Sequence, residues 1–473
     1  MRTKIVVTVG PAIWGESVLE ELVTLGVRIF RLNFSHGDAA SFENIVRTLR
    51  RLERENNVPL TILQDLSGPK NRIGELGDKT LEIGKGDPFH LGVKGEEEGQ
   101  VPFIPFEGRT ILQDLQPGDP VVLSDGTIQF TVDEVLREDL VQMTALNSGL
   151  LTSRKGIAFP GKRYPHPALT EKDRLDIREG AQLGVDCVAM SFVQGPEDIQ
   201  ELKEELTRVG SAVPVLPKLE QPSAVEQLDA ILECSDGLLL ARGDLGIECP
   251  LESLPELQKR IIQACNAAGK PVIVATQMLL SMVDSPIPTR AETTDVANAV
   301  LDGADCLMLS EETAVGKYPL ETVGYMQRIA RNAESYAFER FGGPKRPPEE
   351  DNNPPWFLAY SACIVAEKSA AGALVGHTNS GATGLLLSAC RPRQRLFALT
   401  PGRDIARFLN LAWGLEPRLV TEDIPDHLTR AEHFVQSSKE FETVDKVVIT
   451  AGHASDRDGR TPTNLVKLFT RDV

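Results

Sequence analysis

Along the chain, short apolar runs alternate with stretches whose apolar positions recur at helical spacing. Residues 4–9, 27–34 and 60–66 are near-continuous apolar runs, while 17–25 and 39–55 carry the spacing of amphipathic helices, so the chain opens βαβαβ. After Pro69 the rhythm changes. Across 71–166 the pattern gives short strands (80–83, 121–123, 127–132 and 140–144) with turns at 117–119 and 124–126, a separate small all-β unit. Helix signals return at Thr170, an N-cap with Asp173 three residues on. Further strands are expected at 186–192, 213–219, 237–241, 271–276 and 305–309, separated by helices, the last at 289–301. Eight strands alternating with eight helices predict an α/β fold, a closed (β/α)8 TIM barrel whose active site lies at the C-terminal strand ends. An open doubly wound sheet is the structural alternative. Because the β unit departs from a strand's C-terminal end, it is expected to hang over that rim as a lid.

A Pro- and Gly-rich linker at 342–355 precedes a smaller α/β domain with strands near 373–377, 395–399, 418–420 and 446–450. The expected domains are therefore the barrel (1–68 and 167–341), the β lid (69–166) and a C-terminal domain (356–473). A formal net charge of −18 disfavours nucleic acid and anionic membranes as partners, and makes any local cluster of Lys and Arg informative. None of the seven cysteines forms a CxxC pair, so they read as reduced core thiols of a soluble cytoplasmic protein. No apolar run reaches membrane-spanning length, and no signal peptide precedes the first strand.

Polar residues collect at the expected strand exits. The stretch 213–248 reads strand–helix–strand, its two apolar runs ending at Lys218 and Glu220 and at Arg242 and Asp244. Parallel neighbours put both ends on one rim, where two carboxylates offer oxygen ligands to Mg²⁺ or Mn²⁺ and the ammonium suits a phosphate or an enolate. The other exits add Arg31, Asn33 and Ser35, then Asp65, then Thr276 and Gln277, then Ser310, Glu311 and Glu312. Solvated strand-end charges are the plain alternative, but an anionic, metal-bound substrate needs this gathering on one rim.

Six segments in order, RLNFSHG (31–37), KLE (218–220), ARGDLG (241–246), ATQML (275–279), PTRAETTDVANAV (288–300) and DGADCLMLSEETA (302–314), resemble pyruvate kinase. The resemblance covers barrel, lid and C-terminal domain. It implies phosphoryl transfer from phosphoenolpyruvate to ADP, giving ATP and an enolate that is protonated to pyruvate, the last step of glycolysis. Glu220 and Asp244 then hold Mg²⁺ or Mn²⁺, and Lys218 and Arg31 stabilise the transferring phosphoryl group. Backbone N–H groups of Gly243 and Asp244 grip the substrate carboxylate, glycine permitting close approach, and Thr276 lies in the proton-delivery path. Asn33, His36, Arg72 and Lys155 match nucleotide-side positions, although His36 serves equally well as a helix cap.

The chain departs from the commoner family pattern in three places. After Asp65 many members read TKGPE, with the glutamate accompanying a bound K⁺ near positions equivalent to Asn33, Ser35, Asp65 and Leu66. Here the stretch is LSGPK (66–70), and Lys70 matches the K⁺-independent branch. The lid end, YPHP (164–167), lacks an acidic residue expected near Pro165, and Glu311 replaces a small residue while Glu312 keeps the family's glutamate. In the C-terminal domain, GHTNSGAT (376–383) places hydroxyls and glycine before a helix, which makes a phosphate cradle. The corresponding family loop binds sugar-phosphate effectors, so Thr378, Asn379, Ser380, Gly381 and Thr383 are candidate effector contacts, for a sugar phosphate or a nucleotide. The family's usual state is a homotetramer. Other readings are a barrel lyase or mutase acting on phosphoenolpyruvate or pyruvate, which has no need of a cationic lid, and a metabolite-sensing pseudoenzyme.

Overall fold

A computed structural model describes residues 1–77, 80–93, 101–164, 167–347, 353–421, 424, 426–452 and 464–471. Eight parallel strands close into a barrel: Lys4–Val9, Ile29–Asn33, Thr61–Asp65, Cys187–Met190, Val215–Leu219, Leu238–Ala241, Val272–Ala275 and Cys306–Leu309. The closure settles against the open sheet, since the first strand pairs with both the second and the eighth. Each strand is apolar on both faces for a physical reason. Val6, Ile29, Leu216, Leu239 and Ile273 fill the interior, while Val7, Phe30, Val215, Leu240 and Val274 pack outward on the helices. Thr170 and Asp173 form the expected capping box of the helix Glu171–Leu183.

Between the third and fourth barrel strands, a six-stranded sheet encloses its own apolar core, with Phe89, Phe130 and Phe159 fully buried. The strand expected near 80–83 forms as Leu81–Ile83 but pairs with Gly149–Leu151 in a separate two-stranded sheet, and the other three expected strands lie in the six-stranded sheet, one of them extended to Ile128–Arg137. The sheet also contains Pro88–Gly92, Phe103–Pro105 and Ile157–Ala158, which the sequence pattern missed because they are short or proline-bounded. The C-terminal domain is a five-stranded sheet with an antiparallel edge strand, Leu465–Thr470. Its strand expected at 418–420 runs instead over Leu415–Leu419. Glu416 hid it, looking like a break in the apolar run, yet its carboxylate is taken by Arg395 and Arg418.

The C-terminal domain also stoppers the barrel. Phe408 and Leu411 enter the same cluster as the barrel interior. Around them Arg407 meets the buried carboxylates of Glu53 (2.6 Å) and Asp186 (3.2 Å), and Arg50 pairs with Asp186 at 2.7 Å. All seven cysteines are free thiols, five of them buried. Among the described residues no helix is long and apolar enough to cross a membrane. The expectation about the lid end at Pro165 lies outside the described residues, as does part of the linker (348–352).

Candidate active site

The floor of the rim is a buried ion cluster drawn from the second, third and fifth strands. Asp65 closes the third strand, where the guanidinium of Arg31, from the second, donates through Nε at 2.6 Å. Arg31 also donates to the Thr8 hydroxyl at 3.0 Å, so it spans strands one to three. Lys218, at the end of the fifth strand, places Nζ 2.8 Å from Glu220 Oε1 and 3.3 Å from Asp65 Oδ1. Its third donor goes to the Ser191 hydroxyl at 2.9 Å. Glu220 is 2 % exposed and its second oxygen accepts the Phe192 N–H at 2.7 Å.

Charge balance explains how such burial is tolerated. Burial pushes Asp65 upward, but Arg31 and Lys218 outweigh it and hold the carboxyl below its ordinary range. Burial pulls the Lys218 ammonium down, and the carboxylates of Asp65 and Glu220 more than reverse this, so Lys218 stays charged at every physiological pH. Glu220 is raised by burial, with Lys218 opposing and the charge of Asp244 adding to the rise. The negative charges of Glu220 and Asp244 thus act on one another, with Lys218 on the first and Lys70 4.0 Å from the second.

Asp244 lies in the helical turn Arg242–Glu248 that follows the sixth strand, and it lines one cavity together with Glu220 and Lys70. A hard divalent cation fits this donor set, since both ligands are carboxylate oxygens. Among the described residues no group of three or more His, Cys, Asp or Glu side chains is placed to hold a metal ion.

Next to Asp244, the Gly243 N–H donates to the Thr276 hydroxyl at 2.7 Å, which in turn donates to Ala275 O at 2.6 Å. Thr276 and Gln277 both sit in the left-handed region (φ +70° and +54°), a strained position for a β-branched residue. Arg242, almost fully buried, holds that strained turn by donating to Thr276 O at 3.0 Å while its other nitrogen binds Asp295 at 2.7 Å. Glu312 fixes the turn's far side, accepting from Leu279 N (3.1 Å) and Ser310 N (2.7 Å).

The remaining candidates are more exposed. Asn33 accepts the Ser35 N–H at 3.1 Å, and Ser35 and His36 face solvent. Leu66 is buried, and its carbonyl accepts from the Ser191 hydroxyl at 2.7 Å. Lys70 stretches its ammonium to Asp125 of the lid (3.3 Å) and to Asp244 (4.0 Å), while Asp65 is engaged by Arg31 and Lys218. Arg72 and Lys155 are exposed on adjoining lid segments, bridged at Arg72 and Gly156. Far from this rim, the Thr378 hydroxyl accepts the Gly381 N–H at 2.9 Å before the helix Ala382–Ala389; Thr378 and Thr383 are buried, Asn379 and Ser380 exposed. Gly381 has φ +92°, which a glycine meets without strain.

Sequence reasoning missed Ser191 and Phe192. Their signal was the same as for the others, a polar step at the end of an apolar run, here the fourth strand's exit. Phe192 is itself left-handed (φ +57°), which turns its N–H toward Glu220.

Comparison with known proteins covers nearly the whole chain. A family model described as pyruvate kinase, barrel domain, matches residues 1–323, and one described as pyruvate kinase, alpha/beta domain, matches 357–469. A pyruvate kinase of Agrobacterium vitis is 42% identical over 97% of this chain and 95% of its own. Pyruvate kinase 2 of Synechocystis sp. is 40% identical over 99% of this chain and 79% of its own, and a pyruvate kinase of Methylorubrum extorquens 39% over 100% and 98%.

Proposed function

The chain belongs to the pyruvate kinase family, and from that premise we propose how its own residues carry the reaction. The enzyme moves the phosphoryl group of phosphoenolpyruvate to ADP, giving pyruvate and ATP, and like its family it requires a divalent metal ion. The observation that carries the residue assignment is the buried Lys218 ammonium 2.8 Å from Glu220, beside Asp244 and above the Arg31–Asp65 pair. Phosphoryl transfer is mainly positioning and electrostatic stabilisation, so a fixed cation cluster is what it needs.

Glu220 and Asp244 would hold the metal, Mg²⁺ or Mn²⁺, which would neutralise negative charge on the substrate. Lys218 is held charged and in place by Glu220, Asp65 and Ser191, and it stabilises the transferring phosphoryl group and then the enolate oxygen. Arg31, fixed by Asp65 and Thr8, adds a second cation at the phosphoryl group. Gly243 and Asp244 present backbone N–H groups to the substrate carboxylate. The Gly243 N–H, which donates to the Thr276 hydroxyl here, turns to the carboxylate when substrate binds, and Thr276 lies on the path by which the enolate carbon gains its proton. Asn33, His36, Arg72 and Lys155 serve the nucleotide.

The Lys70 ammonium, reaching toward Asp244 and Asp125, supplies a positive charge in place of the K⁺ that relatives bind at positions equivalent to Asn33, Ser35, Asp65 and Leu66, so turnover is independent of K⁺. The Thr378–Thr383 loop takes the phosphate of a sugar-phosphate or nucleotide effector. The active form is a cytoplasmic homotetramer. A coupled assay with phosphoenolpyruvate, ADP and Mg²⁺ tests the reading, run in KCl and in tetramethylammonium chloride at equal ionic strength. Equal rates in the two salts support the Lys70 assignment; a strong K⁺ requirement defeats it.

A further inference from the structure

A partly buried contact joins the lid to the helical turn that carries Gly243 and Asp244, and no step above uses it. Tyr164, at the end of the lid and 6 % exposed, sends its phenol across to Glu248, the last residue of Arg242–Glu248, donating to Oε1 at 2.7 Å. The same phenol oxygen accepts the Phe159 N–H at 3.1 Å, and the Tyr164 carbonyl accepts from Gln194 Nε2 at 3.1 Å. The tyrosine is therefore held at both ends, and its position is fixed relative to the barrel. One residue away, Gly126 of the lid and Ile247 of the turn line the same cavity.

We propose that the Tyr164–Glu248 hydrogen bond is a clasp that transmits the lid's position to the turn bearing Gly243 and Asp244, making both residues positioning residues for nucleotide capture. The proposal rests on the pyruvate kinase reading of the site. Three features carry it. The lid's cations Arg72 and Lys155 act on nucleotide only when the lid is seated. Arg242 and Gly243 tie the start of the turn to Thr276, and Glu248 ties its end to the lid. The Tyr164 end of the clasp is buried, so removing Glu248 leaves the phenol O–H without its acceptor.

The clasp also responds to pH. Charged and titratable groups around Glu248 are Tyr164, Lys70 and Asp125 of the lid, Asp244 on its own turn and Glu220 of the adjoining strand exit, all lining one cavity. Burial raises the Glu248 carboxyl to about 7, with the charge of Asp244 adding and the Tyr164 hydrogen bond opposing. Once ionised, it accepts the phenol proton more strongly, so the clasp tightens as pH rises through neutrality.

The test is steady-state kinetics of the full-length enzyme at pH 6, 7 and 8, with wild type, Tyr164→Phe, Glu248→Ala, Glu248→Gln and the Tyr164→Phe/Glu248→Ala double variant. Each breaking variant is expected to raise KM for ADP about tenfold. The double variant should be no worse than either single, because the two residues act as a unit. Glu248→Gln, whose amide oxygen still accepts from the phenol, should stay within about twofold of wild type at pH 6. It should also lack the part of the pH response that Glu248 supplies. Unchanged KM in both breaking variants, multiplying losses, or a Glu248→Gln pH profile identical to wild type each overturn the clasp, and the last comparison decides even if Glu248→Ala fails to fold. A wild-type enzyme that forms no pyruvate overturns the functional reading beneath it; an active one with unaffected variants overturns the clasp alone.

Discussion

Replacing Lys218 with methionine keeps the length of the side chain and removes one charge from the floor of the site. Three contacts go with it: Glu220 at 2.8 Å, Asp65 at 3.3 Å and the Ser191 hydroxyl at 2.9 Å. In the transition state this deletes a preorganised cation, which costs about 10²–10³ in kcat, or roughly 3–4 kcal/mol. The fold is affected separately. Stripping one partner from a buried ion pair costs on the order of 3–5 kcal/mol when the other stays charged. Two features reduce that figure here. Asp65 keeps Arg31, and Glu220 keeps the Phe192 N–H and can take up a proton. The thermal midpoint should therefore fall most above neutral pH and recover as the pH is lowered, because protonation removes the stranded charge. Pyruvate formation followed by a lactate dehydrogenase coupled assay gives kcat, and calorimetry at pH 6 and 8 separates the two effects. Turnover near wild type in a folded Lys218→Met enzyme would remove Lys218 from its role.

Two further predictions concern stability. Glu248 is protonated in the folded protein up to about pH 7, whereas unfolded it ionises from about its ordinary 4.5. Its contribution is thus fully present below 4.5 and lost as pH rises through 7, a change on the order of 3 kcal/mol. Glu248→Gln lacks that loss, so its midpoint relative to wild type should climb from pH 4.5 to 7 and then level off; a constant difference refutes it. At the barrel's lower end, Arg407→Met removes the nearest cation from the buried carboxylate of Glu53, which keeps Arg50 at 3.7 Å, and one of the two arginines from Asp186. It should lower stability by about 3 kcal/mol in urea unfolding, with Glu53→Gln in the same background restoring part; no loss in the single variant refutes it.

The barrel was legible because parallel strands buried on both faces leave near-continuous apolar runs, and the site was legible because its charges stand where those runs stop. Lys218, Glu220, Asp65 and Arg31 come together for that reason alone. What stayed hidden depends on backbone or partner geometry. Nothing in the letters of Thr276, Gln277 and Phe192 signals a left-handed turn, since that conformation is imposed by Arg242, Glu312 and Glu220 from other strands. Glu416 broke an apolar pattern until its two arginines were in view. Lys70 could be read as a cation near Asp65, but its reach toward Asp125 depends on where the lid settles. The Tyr164–Glu248 contact, 84 positions apart, has no local pattern at all.

The most direct measurement is a crystal structure of the enzyme with Mn²⁺ and oxalate, an enolate mimic, using anomalous scattering to locate the metal. The expected peak lies about 2.1 Å from carboxylate oxygens of both Glu220 and Asp244, with the Lys218 ammonium within hydrogen-bond reach of oxalate. A single ordered Mn²⁺ bound away from either carboxylate, or oxalate beyond reach of Lys218, contradicts the shared site.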